Sequence, residues 1–187
     1  MILPIVAYGD PVLKKKASLI ESNQANLPEL IQNMFDTMYH ANGVGLAAPQ
    51  IGVSVRLFVV DASPFDEEHL KDFKKVFINP EVVHFSEETW SFNEGCLSIP
   101  DVREDVVRSK KITVRYFDET FTMKEEMLDD IPARIFLHEF DHLEGVLFTD
   151  RIPGLRRTIL GRRLEKISKG LVQVDYKMRF PYRNKKR

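Results

Sequence analysis

The run His138-Glu139-Phe140-Asp141-His142 constrains the chain more than any other segment. Residues four apart share one helical face, so His138 and His142 can close on one metal ion only if this stretch is a helix. Glu139 follows His138 by one residue and then sits beside the ion without binding it. That is the place of a general base acting on a water that the metal activates. The flanks fit: a helix is predicted from near Asp130, with Pro132 early in it, to Gly145. Shuffling a chain with five histidines yields this pattern about 0.01 times per sequence, so chance spacing is a poor explanation.

Two histidines need at least a third protein ligand. The single cysteine, Cys96, lies in Glu94-Gly95-Cys96-Leu97-Ser98-Ile99-Pro100. A lone cysteine is more often a small buried hydrophobe than a ligand. Here Gly95 permits close backbone approach and Pro100 stiffens the exit. A thiolate would complete a Cys-His-His set and leave the fourth tetrahedral position for water. With one cysteine there is no internal disulfide framework, and a reducing compartment is the default.

Around this helix the pattern is mixed. Leu27 to Tyr39 has the apolar spacing of an amphipathic helix, with Asn26 as its cap, Pro28 in its first turn and Gly43 past its end. Gly43 to Gln50 reads as a small-residue loop. Strands are predicted over Val55–Asp61, Val76–Phe85, Thr113–Asp118 and Phe121–Leu128. Ser63 to Lys75 reads as a loop or short helix. A third helix is expected over Leu155–Lys169, with Leu155, Ile159, Leu160, Leu164 and Ile167 as its apolar stripe and Gly170 beyond it. The last residues, Phe180 to Arg187, are expected to fray. Strands in runs with helices before, between and after point to an α+β domain. We expect one domain over residues 1–170 and a basic tail over 171–187.

No phosphate-binding loop, dinucleotide fingerprint or serine-nucleophile elbow is present, which weighs against nucleotide binding and serine hydrolysis. No apolar run reaches the length of a membrane helix. The N-terminal lysines follow the first apolar stretch, the wrong order for a secretory signal, so the chain is expected not to be secreted. Charge is uneven: residues 1–150 carry 14 basic and 26 acidic side chains, and residues 151–187 carry 13 basic and 2 acidic. Net charges of −12 and +11 sum to the −1 of the whole chain. The basic arm suggests contact with an anionic partner, nucleic acid included; a solvated face is the plainer reading.

Three segments together, Gly43-Val44-Gly45-Leu46-Ala47-Ala48-Pro49-Gln50, Glu94-Gly95-Cys96-Leu97-Ser98 and the histidine helix, resemble the signatures of the peptide deformylase family. The opening Ile5 to Leu13 is also similar to that family's start, and the likeness spans roughly residues 1–152. It implies antiparallel or mixed sheets packed around the central helix, with one N-terminal and one C-terminal helix. It implies an enzyme that removes the formyl group from the initiator methionine of nascent bacterial or organellar polypeptides, in the cytoplasm or an organelle. By the same likeness Cys96, His138 and His142 hold one divalent metal, Glu139 is general base and acid, and Gln50 with the Leu97 N–H stabilises the oxyanion. Val44, Gly45 and Gly95 pair with the substrate backbone, Val44 and Ile135 wall the methionine pocket, and Arg103 lies near the substrate. Where the family often has glutamine before the first histidine, this chain has Leu137. Fe²⁺ is the metal the likeness implies, although Zn²⁺, Ni²⁺ and Co²⁺ suit the same donors. The basic arm is expected to assist encounter with the ribosome. Two other readings stay open from the residues alone. One is a zinc endopeptidase using the same helix. The other is a nucleic-acid-binding protein with a structural metal.

Overall fold

The computed structural model describes residues 1–22, 26–65 and 67–182. In chain order the regular elements are β1 (Ile5–Val6), α1 (Leu27–His40), β2 (Gly45–Ala47), β3 (Leu57–Asp61), β4 (Lys74–Phe85) and β5 (Thr89–Cys96). There follow β6 (Ile99–Ser109), β7 (Lys111–Phe117), β8 (Met123–Asp129), α2 (Asp130–Leu143), α3 (Gly154–Ser168) and β9 (Met178–Arg179). A five-stranded antiparallel sheet has the order β2-β3-β4-β7-β8, β5 and β6 form a separate hairpin, and β1 pairs in parallel with β9. The α+β expectation holds, with antiparallel sheets around the histidine-bearing helix α2.

Helix α2 is buried on almost every side. Ile131, Ala133, Ile135, Phe136, Leu137 and Leu143 are all inside. Phe136 meets Phe58 and Phe77 edge-on at 5.1 Å between ring centres, which fixes the helix against β3 and β4. Its polar residues therefore sit in the interior and must be satisfied there. The Asp129 side chain caps the helix, accepting from the Asp130 N–H at 2.8 Å. Just past the end of the helix stands Gly145, whose φ is +72° and where a Cβ would stand 2.7 Å from the Lys14 carbonyl oxygen. Backbone cannot yield as a side chain does, so the stop is fixed to glycine.

Several expectations need correction. Asn26 does not cap α1: it is left-handed (φ +66°) and its side chain makes no capping bond. Pro28 in the first turn lacks an N–H, so one fewer donor needs a cap there. Part of the Gly43–Gln50 loop is strand β2, and Ala48–Ile51 form a 3₁₀ turn. The loop or short helix expected over Ser63–Lys75 holds as two short 3₁₀ turns, Ser63–Phe65 and Glu68–Leu70, although its last two residues already belong to β4. The stripe on α3 is only half buried: Leu164 and Ile167 are inside, but Leu155 is 79% exposed and Ile159 62%. The segment after Gly170 packs back, with β9 on β1. Of the fray expected over Phe180–Arg187, Phe180 to Tyr182 stay placed, with the Tyr182 N–H donating to the Ser168 carbonyl at 3.1 Å, and residues 183–187 lie outside the described residues. Among the described residues no helix is long and apolar enough to cross a membrane.

Candidate metal centre

Three elements bring the chemistry together. Helix α2 carries His138, Glu139 and His142. The end of β5 carries Cys96, and the 3₁₀ turn after β2 carries Gln50. The ligand atoms of Cys96, His138 and His142 lie within 4.8 Å of one another. Cys96 Sγ is 3.4 Å from His142 Nε2. His138 Nδ1 lies 2.9 Å from Glu94 Oε2, so a proton on Nδ1 is held by the carboxylate and Nε2 keeps its lone pair for a ligand role.

The donor set suits a borderline divalent cation: one soft thiolate and two imidazoles on a tetrahedral scale. Burial pushes His142 well below the ordinary imidazole range and keeps it neutral, as a ligand must be. Burial opposes charge on His138 as well, yet Cys96 and Glu94 beside it raise its pKa well above the ordinary value. That proton and a metal ion compete for one cluster, which is the usual coupling of metal binding to proton release.

Glu139 is 4% exposed, and among the described residues its Oε2 has no hydrogen-bond partner. Burial pushes its carboxyl up to about 7. It faces Gly45, where any Cβ would overlap the carboxylate. Gly45 is thus required by close approach, because the backbone of β2 passes directly over the acid. Gln50 is fixed by its own Oε1, which accepts from the Ala47 N–H at 2.8 Å, while its Nε2 points to Cys96 Sγ and Ser98 Oγ, each at 3.4 Å. Its amide donor therefore faces the cluster.

The cluster opens on a cleft of about 600 Å³. Val44, Gly45, Gly95, Leu97 and Ile135 line it, as does Arg103, whose guanidinium bonds the Asn93 side chain (2.9 Å) and carbonyl (2.6 Å). All the residues singled out in the sequence thus meet at one cleft and its floor. The sequence reading assigns no role to Glu94, Arg108, Arg134 and Asp141. Arg108 holds both Glu94 oxygens (2.6 and 2.9 Å) and reaches Asp141 at 2.7 Å; Arg134 adds a bond to Glu94 at 2.7 Å. Burial opposes ionisation of Glu94, but Arg108 and His138 outweigh it and hold the carboxyl well below the usual range. The one sequence signal for Glu94 is its place two residues before Cys96.

A family model described as polypeptide deformylase matches residues 2–158. The chain belongs to the polypeptide deformylase family. It is 52% identical to the peptide deformylase of Christiangramia forsetii over 196 aligned positions, covering 100% of both chains. Among solved structures it is similar to a peptide deformylase from Legionella pneumophila (40% identity, TM-score 0.82, 91% of this chain and 98% of that one). It is also similar to a class I type b deformylase from Acinetobacter baumannii solved with Met-Ala-Ser bound (38% identity, TM-score 0.75, 81% and 99%). A member of this family is a hydrolase that deformylates polypeptides, so the expectation of a peptide deformylase holds. The endopeptidase and nucleic-acid-binding readings lose their ground as the primary activity.

Proposed function

We propose that this enzyme hydrolyses the N-formyl group of formylmethionyl nascent peptides at the Cys96-His138-His142 cluster, with Glu139 as the proton carrier. The observation that carries this reading is the convergence of that cluster, the buried Glu139 carboxylate and the Gln50 amide at the floor of one cleft. A divalent cation held by Cys96 Sγ and the two imidazoles would supply Lewis-acid polarisation and acidify water. Glu139 takes a proton from the attacking water as its oxygen bonds the formyl carbon. The Gln50 Nε2–H and the Leu97 N–H donate to the formyl oxygen as charge builds there. Glu139 then gives its proton to the departing amine as the C–N bond breaks, releasing formate and a free N-terminus.

The backbone of Val44, Gly45 and Gly95 offers strand-like pairing to the peptide, which gives affinity without reading side chains. Val44 and Ile135 offer apolar walls for methionine, and Arg103 stands at the cleft near the chain that follows. The relative with Met-Ala-Ser bound supports a cleft shaped for such a peptide. Iron is our choice of resident metal. Action in a bacterial cytoplasm or an organelle follows from the substrate, since formylmethionine begins the chains made there.

Changing Cys96 to alanine should drop metal content from about one ion per chain to a small residual, measured on anaerobically prepared protein. Undiminished metal in that variant would contradict the ligand set. For the basic arm, we infer that α3 assists docking on ribosomal RNA through exposed Arg162, Arg163 and Lys166. Neutralising all three should weaken cosedimentation with ribosomes by about tenfold at low salt. Equal cosedimentation would remove that role.

A further inference from the structure

The chain after Leu171 lies beyond the residues matched by the family model, and the reaction described above gives it no role. Its side chains alternate. Val172, Val174, Tyr176 and Met178 are half-buried, while Gln173, Asp175 and Lys177 are exposed, an in–out alternation along a bent strap that becomes strand at Met178–Arg179. The strap is latched to the N-terminal strand: the Ile5 N–H donates to the Lys177 carbonyl at 2.8 Å and the Ala7 N–H to the Arg179 carbonyl at 2.9 Å. Just before this latch, Gln173 to Tyr176 form part of the cleft wall.

The Tyr176 hydroxyl donates to the Leu97 carbonyl at 2.8 Å. Leu97 and Ser98 are the two residues of the turn between β5 and β6, enclosed by the paired residues Cys96 and Ile99. The next carbonyl, that of Ser98, accepts from the Tyr8 N–H at 2.8 Å. Two consecutive carbonyls of this turn are thus held from two straps, and the straps are paired with each other. Cys96, with its thiol in the metal cluster, immediately precedes this turn, and Leu97 opens it. A two-residue turn has few internal bonds to fix it, so outside anchors set its orientation.

We propose that Tyr176 is a positioning residue, its hydroxyl clamping the Leu97 turn to the C-terminal strap so that the Leu97 N–H meets the formyl oxygen. This makes the strap part of the catalytic unit, beyond the residue 170 boundary expected from sequence, and it rests on the function proposed above. The Leu97 N–H and carbonyl belong to the two peptide planes that meet at the Leu97 Cα, so releasing the carbonyl anchor loosens the φ and ψ that set the donor's direction. Loss of a donor's alignment acts on the transition state more than on ground-state binding.

The test is Tyr176→Phe, which removes the hydroxyl and keeps the ring. The kcat for a formyl-Met-Ala-Ser peptide should fall about fivefold while KM stays within about twofold. In parallel, ¹⁵N relaxation of the Leu97 amide in zinc-loaded protein should show added motion that the Tyr8 amide does not share. Either a kcat within about twofold of the wild type or unaltered Leu97 relaxation overturns the proposal. Should wild-type enzyme itself release no formate, the function proposed above fails, and the relaxation measurement alone then decides the role of Tyr176.

Discussion

Glu139→Gln should lower kcat by about a thousandfold while metal content stays unchanged. The substitution keeps the shape of the side chain and removes only its capacity to take and return a proton. Shape matters here, because Gly45 lies against the carboxylate and leaves no freedom for a larger group. Glu139 is not among the three clustered ligands, so the metal should stay. Its burial, and an Oε2 with no partner among the described residues, mean that the group is held ready without a structural bond to satisfy it. Steady-state formate release and metal analysis of the same sample check both parts. Near-normal turnover would move the proton-carrying role to another group. Metal loss would make Glu139 a ligand or its support.

Arg108→Ala should cost about 3 kcal/mol of stability, read as a melting temperature lower by about 6–12 °C. Arg108 is 5% exposed and bridges the buried carboxylates Glu94 and Asp141. Its loss leaves both inside with fewer partners. The cost falls at the low end for a broken buried pair because Arg134 still bonds Glu94 and Arg151 still bonds Asp141. By contrast, Arg115→Ala should cost under about 1 kcal/mol, since the Arg115–Glu125 pair is about half exposed. The effect should also reach the metal. Glu94 orients His138 through Nδ1, and loosening that carboxylate should weaken metal affinity by about tenfold. Lysine should not restore it, because an ammonium cannot grip both Glu94 oxygens as the guanidinium does. Equal melting of Arg108→Ala and wild type would contradict the account of the buried network.

What could be read from the sequence followed the strength of local periodicity. Helix α1 has a clean 3.6-residue stripe, α2 is marked by its histidine spacing and its flanking Pro132 and Gly145, and β3, β4 and β7 are rich in β-branched and aromatic residues, so each is legible. Strand β8 is announced only by Phe121 and Thr122 just before it, its own residues carrying no such signal. The β5–β6 hairpin is not, although it carries Cys96. Its inward positions are Trp90, Phe92 and Glu94 on one strand and Val102, Glu104, Val106 and Arg108 on the other. Buried charges occupy places where apolar residues would mark a strand, while Val107 faces out at 63% exposure. The alternation exists but the chemistry masks it. The C-terminal strap shows the same period in Val172, Val174, Tyr176, Met178 and Phe180, a signal hidden by the basic residues between and after them. On α3 the reverse occurred: an apolar stripe longer than the surface available to bury it.

The site divides in the same way. Cys96, His138, Glu139, His142 and Gln50 stand in compact motifs and could be named one by one. Glu94, Arg108, Arg134, Asp141 and Arg151 come from separate segments, and only the fold makes them a network. Tyr176 acts on Leu97 across 79 residues, with no local pattern to announce it.

The most direct test of the central claim is formate release from formyl-Met-Ala-Ser, using protein purified anaerobically and loaded with Fe²⁺. Rapid release is predicted, with none from the N-acetyl analogue, with loss on exposure to air and recovery after anaerobic reloading. A folded, metal-loaded sample that releases no formate would contradict the account.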